Sequence, residues 1–345
     1  MALFAPAGCS RTPATSAAGG EGGAGALKEL NIFVFSDYVP QRVLDGFTKE
    51  TGIRVNATFY DTNEELLAKL LAGGTRYDLI QPSDYTVEAL RKNNLLQPID
   101  FSKVPNLANI GPQYLHLPFD PDQKYSVPYM TGTVGIIVNT AKIKDPILGY
   151  RDVFQPKYKG RIVVVDDGRE MVSWALACLG HSVNDINAQT LAQVRPLLAS
   201  WIPLIKLFAG NSPKDALLGG DCDLGVIYCG DAAKVIDADP RFHYILPVEG
   251  AHRFIDTLAI PTTSTHPEAA AMFMNYILRP DVSVLISKEW PYTNPNLAAR
   301  KLLTSAELSN PASYPSDTGK LEIFRDIGNE STEVDKLVTD LKNGG

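Results

Sequence analysis

The chain has 345 residues, of which 45% are apolar and 21% charged. That is more than one hydrophobic core usually serves, so two domains or one large α/β unit are expected and a small disulfide scaffold is excluded. Lys plus Arg is 32 against Asp plus Glu 39, a net charge of -7, which is the wrong sign for a phosphate-backbone binder and speaks against a nucleic-acid partner.

Residues 1–26 read as a signal remnant and flexible tether. Ala7-Gly8-Cys9 is similar to the end of a bacterial lipoprotein signal, whose cysteine is acylated, an accidental triplet being the alternative. The following run of Gly, Ala, Ser, Thr and Pro from Ser10 to Ala26 cannot bury enough surface to offset the entropy of ordering it. The expectation is a periplasmic or extracytoplasmic protein anchored through a lipidated Cys9. No apolar run approaches the roughly 18 residues that a membrane helix needs.

From Leu30 the chain alternates strand and helix patterns. LNIFVF is a strand, Pro40 and Gly52 bracket a helix, and Ile53, Val55, Ala57 and Phe59 alternate as a second strand. Asn63 is expected to cap the helix EELLAKLLAGG, RYDLIQP is a strand and SDYTVEALRKNN a helix. This βαβαβ order implies a parallel sheet with right-handed crossovers. After an irregular segment near 106–122, VPYMTGTVGIIVN is a glycine-punctuated extended stretch suited to run between two lobes. The second lobe repeats the grammar with RIVVVDD, REMVSWALACLG, a long helix near 188–208, DLGVIYCG and HYILP, and FIDTLAIP carries the chain back. The remainder, with PEAAAMFMNYIL, PDVSVLISKE, NLAARKLL and STEVDKLVTDLKNG, reads as largely helical. Cys178, Cys222 and Cys229 are expected as buried thiols, since the strand between the last two would hold them roughly 20 Å apart. The five histidines are isolated and no metal-ligand spacing occurs.

In open α/β sheets ligands bind beyond the carboxyl ends of the strands. The residues there are Ser36, Asp37 and Tyr38; Ser83, Asp84 and Tyr85; Asp166, Asp167 and Glu170; Tyr228 and Asp231; and Phe254 and Asp256. Singly, each acid suits a helix cap and each tyrosine suits packing at a lobe edge. Together they describe a negative, aromatic cleft without a nearby cation. It fits a ligand with cationic ends, held by carboxylates, and an apolar body lying along rings. No GxGxxG or GxxxxGK[ST] cradle occurs, so no cofactor is expected.

The runs FSDYVP, FTKETGIRV, YDLIQPSDY, PFDPDQKYSVPY, DDGRE, LAIP, LRPDV and NPNLAARKLL resemble the spermidine/putrescine-binding proteins of bacterial polyamine ABC transporters. The resemblance implies an α/β, bilobal periplasmic-binding-protein fold of type II, its two lobes joined by hinge strands. It further implies lobes of 27–132 plus 255–300 and of 133–254 plus 301–345. The family's ligand residues match Asp37, Ser83, Tyr85, Asp167, Glu170, Asp256 and Tyr292. Its tryptophans are replaced by Phe35, Tyr228 and Phe254, and a glutamine falls loosely on Phe324. With Ser36 and Tyr38 from the first junction, these make up the expected ligand site.

The implied function is capture of putrescine or spermidine between the lobes by a monomer, followed by delivery to a membrane permease, with no chemical step. Two alternatives stand beside it. One is a receptor for another small solute such as Fe(III); the other is a glycosidase using paired carboxylates.

Overall fold

The computed structural model describes residues 28–36, 38–210, 213–316 and 319–344. Strands form where apolar residues run together or alternate: β1 (Glu29–Phe35), β2 (Arg54–Tyr60) and β3 (Leu79–Ile80), with β1 parallel to both of the others. The helix Gln41–Thr51 joins β1 to β2; it follows Pro40 and ends at Gly52, whose φ of 74° is open to glycine without strain. The next helix, Asn63–Leu71, is capped by Thr62 rather than Asn63, because the Thr62 hydroxyl accepts from the Glu65 N–H. Asn63 is used elsewhere, as described below.

β4 (Ser126–Asn139) is fourteen residues long and buried throughout. In the second lobe β5 (Ile162–Val165) lies between β6 (Ile205–Ala209) and β7 (Leu224–Tyr228), parallel to both. β6 occupies the end of the segment expected as one long helix. The helix Ala188–Trp201 gives way to a tight turn at Ile202–Leu204, where Pro203 has no N–H to continue it, and the chain leaves as a strand. β8 (Phe242–Ile245) and β9 (Ala251–Ala259) each pair antiparallel with β4, and β10 (Leu321–Glu322) runs parallel to β9. The principal strand order is β2-β1-β3-β9-β4-β7-β5-β6. Of NLAARKLL only Leu297–Arg300 is helical, and a short helix at Ser305–Ser309 and β10 precede the last helix, Glu330–Lys342.

Two hydrophobic cores result. One gathers Ile32, Phe47, Leu79, Met130, Ile255 and Phe273; the other gathers Val134, Val164, Trp174, Ile227, Phe254 and Leu337. β4 and β9 pass from one core to the other side by side, through Thr131 opposite Ile255, Gly132 opposite Phe254 and Thr133 opposite Arg253. Gly132 lets the strands pack closely at that crossing, because a Cβ there would lie 2.5 Å from both the Phe254 ring and the Cys229 sulfur and would force them to shift. The molecule is thus two α/β lobes joined by paired strands. Cys222 and Cys229 are buried thiols, but Cys178 is only half-buried, its sulfur 3.5 Å from Glu249.

Gly225 lies in β7 opposite Val163 of β5, and a Cβ there would fall on the Val163 carbonyl oxygen. Backbone in the middle of a sheet cannot swing aside, so Gly225→Ala should lower stability by about 1–3 kcal/mol. Chemical denaturation of variant and parent checks this.

Candidate functional site

β9 carries the centre of the site. Its alternation sends His252, Phe254 and Asp256 to one face. Asp256, 6% exposed, accepts hydrogen bonds from the Tyr38 hydroxyl (2.7 Å) and the Ser83 hydroxyl (2.5 Å). Ser83 is aimed by Asn63, whose side-chain amide donates to the Ser83 oxygen (2.9 Å) and whose carbonyl accepts from the Ser83 N–H (3.1 Å). Ser83 therefore does not cap the helix Asp84–Lys92 with its side chain; its hydroxyl serves Asp256 instead. Asp84, fully buried, accepts from the N–H groups of Tyr85 (2.7 Å) and Ile255 (3.1 Å), and so ties the start of that helix to β9.

In the second lobe Asp167 caps the helix Gly168–Cys178, accepting from the Glu170 N–H, and lies 3.4 Å from the Tyr228 hydroxyl. Glu170, 1% exposed, accepts from the Trp174 indole (3.2 Å) and lies 2.6 Å from His252 Nδ1. His252, one of the histidines isolated in sequence, is thus paired with a carboxylate and buried.

The rings form a continuous wall. Phe35 meets Tyr38 edge-on, Tyr38 meets Tyr292, Tyr292 meets Phe254, and Phe254 meets Tyr228, with centroids 5.4–5.9 Å apart. A branch leads from Phe254 through His252 and Phe324 to Tyr85. The Tyr85 hydroxyl donates to Glu64 (3.1 Å). Ser36 is turned to the backbone, its hydroxyl directed at the Tyr60 carbonyl. Asp37 and Cys9 lie outside the described residues.

Burial is the main influence on every acid here. It pushes Asp256 and Asp167 up to about 6 and Asp84 up to about 7, while the hydroxyls of Ser83 and Tyr38 pull Asp256 partly back. Glu170 is raised and His252 lowered by the same cause, so each is driven to its neutral form. One cation is present that the sequence reading did not anticipate. The Arg169 guanidinium lies 4.6 Å from the Phe324 ring centroid and donates to Asn184, and burial lowers it to about 10.

Of the residues expected from the sequence, the structure brings Phe35, Tyr38, Ser83, Tyr85, Asp256, Tyr292, Phe254, Tyr228, Asp167 and Glu170 into one connected set of rings and hydrogen bonds. Asp231 stands apart from this hydrogen-bonded set, 3.6 Å from Lys214. His252, Glu64 and Arg169 were missed as members of the site. The signal for His252 was its even spacing from Phe254 and Asp256 along one strand; Arg169 was written inside DDGRE itself.

Comparison with known proteins decides the family. The model of the bacterial extracellular solute-binding proteins matches residues 42–315. The chain belongs to that family. Among curated relatives, the spermidine/putrescine-binding periplasmic protein of Salmonella typhimurium is 36% identical over 91% of this chain and 92% of its own length. The putrescine-binding periplasmic protein PotF of Escherichia coli is 32% identical, over 90% of both. Among solved structures, the spermidine/putrescine ABC transporter substrate-binding protein PotD of Streptococcus pneumoniae superimposes with a TM-score of 0.79 at 30% identity, over 92% of this chain and 99% of that one. The fold is the bilobal, type II form of periplasmic solute-binding proteins.

Asp84, Asp167 and Asp256 each have a folded-state pKa above the ordinary 3.8, so between about pH 5 and 7 these groups hold more protons in the folded chain than in the unfolded one. Their contribution makes stability fall as pH rises through that window. His252, shifted down, acts in the opposite sense there, and carboxylates lowered by their partners, such as Glu88 and Asp223, do so chiefly below it. The ligand-free protein should therefore melt at a lower temperature at pH 7.5 than at pH 5, and Asp256→Asn should flatten the slope; calorimetric scans at a series of pH values test both.

Proposed function

We propose that this protein is an extracytoplasmic receptor that captures linear polyamines, putrescine or spermidine, between its lobes and hands them to the permease of an ABC transporter. The observation that carries the reading is Asp256. It is a buried carboxylate whose hydrogen-bond donors are two neutral hydroxyls, set within a wall of rings. A carboxylate in that setting is costly until a cation arrives, and an ammonium group supplies charge and hydrogen bonds together. Polyamine methylenes then lie along the rings. The names of the relatives, spermidine/putrescine-binding and putrescine-binding, support the same ligand class.

In this reading Asp256, Ser83, Tyr85, Tyr38, Phe35, Ser36 and Asp37 belong to one lobe, 27–132 plus 255–300. Asp167, Glu170, Tyr228 and Phe254 belong to the other, 133–254 plus 301–345, and Tyr292 packs against both cores. The open form takes the ligand on one lobe. Closure adds the second lobe's acids, and their attraction to the cation is what makes the closed state preferred. The receptor acts as a monomer and performs no covalent step. A ferric site is disfavoured, because such sites favour adjacent tyrosines and other hard oxygen ligands, and no Tyr-Tyr pair occurs in the sequence. A glycosidase is disfavoured by the lineage of solute-binding proteins.

Protein unfolded, refolded and stripped of ligand should gain thermal stability in millimolar putrescine or spermidine; no shift with any polyamine refutes the reading. Asp256→Asn should weaken binding by roughly 2–5 kcal/mol in calorimetric titration, while leaving the ligand-free melting temperature equal or raised. A lowered melting temperature with unchanged affinity would assign Asp256 to folding instead. Because the ligand cation favours ionised acids, affinity should also rise with pH between about 5 and 7.

The protein is further proposed to be held at the membrane by acylation of Cys9, supported by the small residues before it and the glycine-rich run after it. Cys9→Ser should release the protein from the membrane fraction of cells expressing it from its native signal. Identical fractionation of the two forms would exclude the anchor.

A further inference from the structure

His252 stands on the same face of β9 as Phe254 and Asp256 and is 4% exposed. One face of its imidazole is stacked on Phe324, with centroids 3.5 Å apart and planes 4° from parallel. Nδ1 is engaged by Glu170 at 2.6 Å. Nε2 is buried and has no hydrogen-bond partner among the described residues. A nitrogen in that state carries a desolvation cost that some other group is expected to relieve. The charged groups around the ring are Glu170, bonded to it; Asp84 from the start of the helix Asp84–Lys92; Asp167 and Arg169 from the start of the helix Gly168–Cys178; and Asp256 on its own strand. Phe324, packed on the ring face, brings no charge.

We propose that His252 Nε2 is a ligand contact that accepts a hydrogen bond from an N–H of the bound amine, with Glu170 selecting the tautomer that leaves that nitrogen free to accept. The proposal rests on the polyamine reading and adds a residue to it.

The protons balance as follows. Burial favours a neutral pair in the empty protein: Glu170 holds a proton and donates it to Nδ1, so the ring's own proton is on Nε2. An approaching ammonium would meet that Nε2–H donor to donor. Binding is therefore coupled to loss of the Nε2 proton to solvent and transfer of the Glu170 proton to Nδ1. The pair ends as an ionised carboxylate accepting from Nδ1–H, with one negative charge facing the cation and a lone pair on Nε2. No bond of the ligand is broken. The Phe324 stack holds the ring plane through both states, so only protons move. A ligand nitrogen fully substituted with methyl groups would lack the hydrogen that this contact needs.

The test uses the full chain labelled with ¹⁵N-histidine and stripped of ligand, its His252 signals assigned by their absence in His252→Phe. Spermidine at saturation should convert a ring protonated at Nε2 into one protonated at Nδ1. His252→Phe, which keeps a ring to stack on Phe324, should bind spermidine about ten- to a hundredfold more weakly. His252→Gln, whose carbonyl can accept from the amine, should recover part of that loss. If the parent binds spermidine while Nε2 stays protonated, or if His252→Phe binds as tightly as the parent, the contact is refuted and the polyamine reading stands. Should the parent bind no polyamine, both fall together. Should His252→Phe not fold, the absence of the same signals in His252→Gln supplies the assignment, and the nitrogen signals of the parent still decide the matter.

Discussion

Asp256 and Asp84 are buried carboxylates with no cation bonded to either among the described residues, and much of the architecture around them follows from making that tolerable. Hydroxyls of Tyr38 and Ser83 serve one, and backbone N–H groups of Tyr85 and Ile255 serve the other. Neutral donors soften the desolvation cost without cancelling the charge. The result is a lobe face that is folded and yet electrostatically incomplete. A salt bridge in the same place would have satisfied the fold and left nothing for a cation to do.

Two strands make this incompleteness useful. β4 and β9 lie side by side and carry the chain between the cores at Thr131–Thr133 and Arg253–Ile255. The site is built on and around that crossing, with Asp256 just to one side, Phe254 at it and His252 just to the other. Under the proposed function a ligand seated there would touch residues of both cores, which is the condition for binding to bias an open–closed equilibrium. The chain returns a third time near β10, where Arg325 pairs with Glu88 and Phe324 stacks on His252. These contacts tie the C-terminal segment to elements far earlier in the sequence.

The second lobe places its acids by a different device. Asp167 is a helix cap and Glu170 the residue three places on, so local sequence sets their mutual position. Their environment is not local. Glu170 is surrounded by Trp174 and His252, the latter from a strand some eighty residues later in the chain. One carboxyl thus stays close to a helix terminus while the other is drawn into a hydrogen-bonded pair with His252, although the two are neighbours in sequence.

Local pattern determined a good deal by itself. The parallel βαβαβ start, Gly52 as a helix stop, the extended stretch of β4 and the acids and rings at strand ends were all legible, because periodicity and caps act over a few residues. The motifs alone also carry the resemblance to the family. What the sequence left open were matters of partnership. Asn63 reads as a cap and is instead the group that aims Ser83, because Thr62 beside it takes the cap. The expected long helix ends at a turn containing Pro203, since β5 offers the following residues a strand partner. Arg169 stands unremarked inside DDGRE, and His252 is one of five histidines isolated in sequence. They become part of the site only because the second-lobe helix, β9 and the C-terminal segment converge there, and burial and protonation are decided by those long-range neighbours rather than by the residues adjacent in the chain.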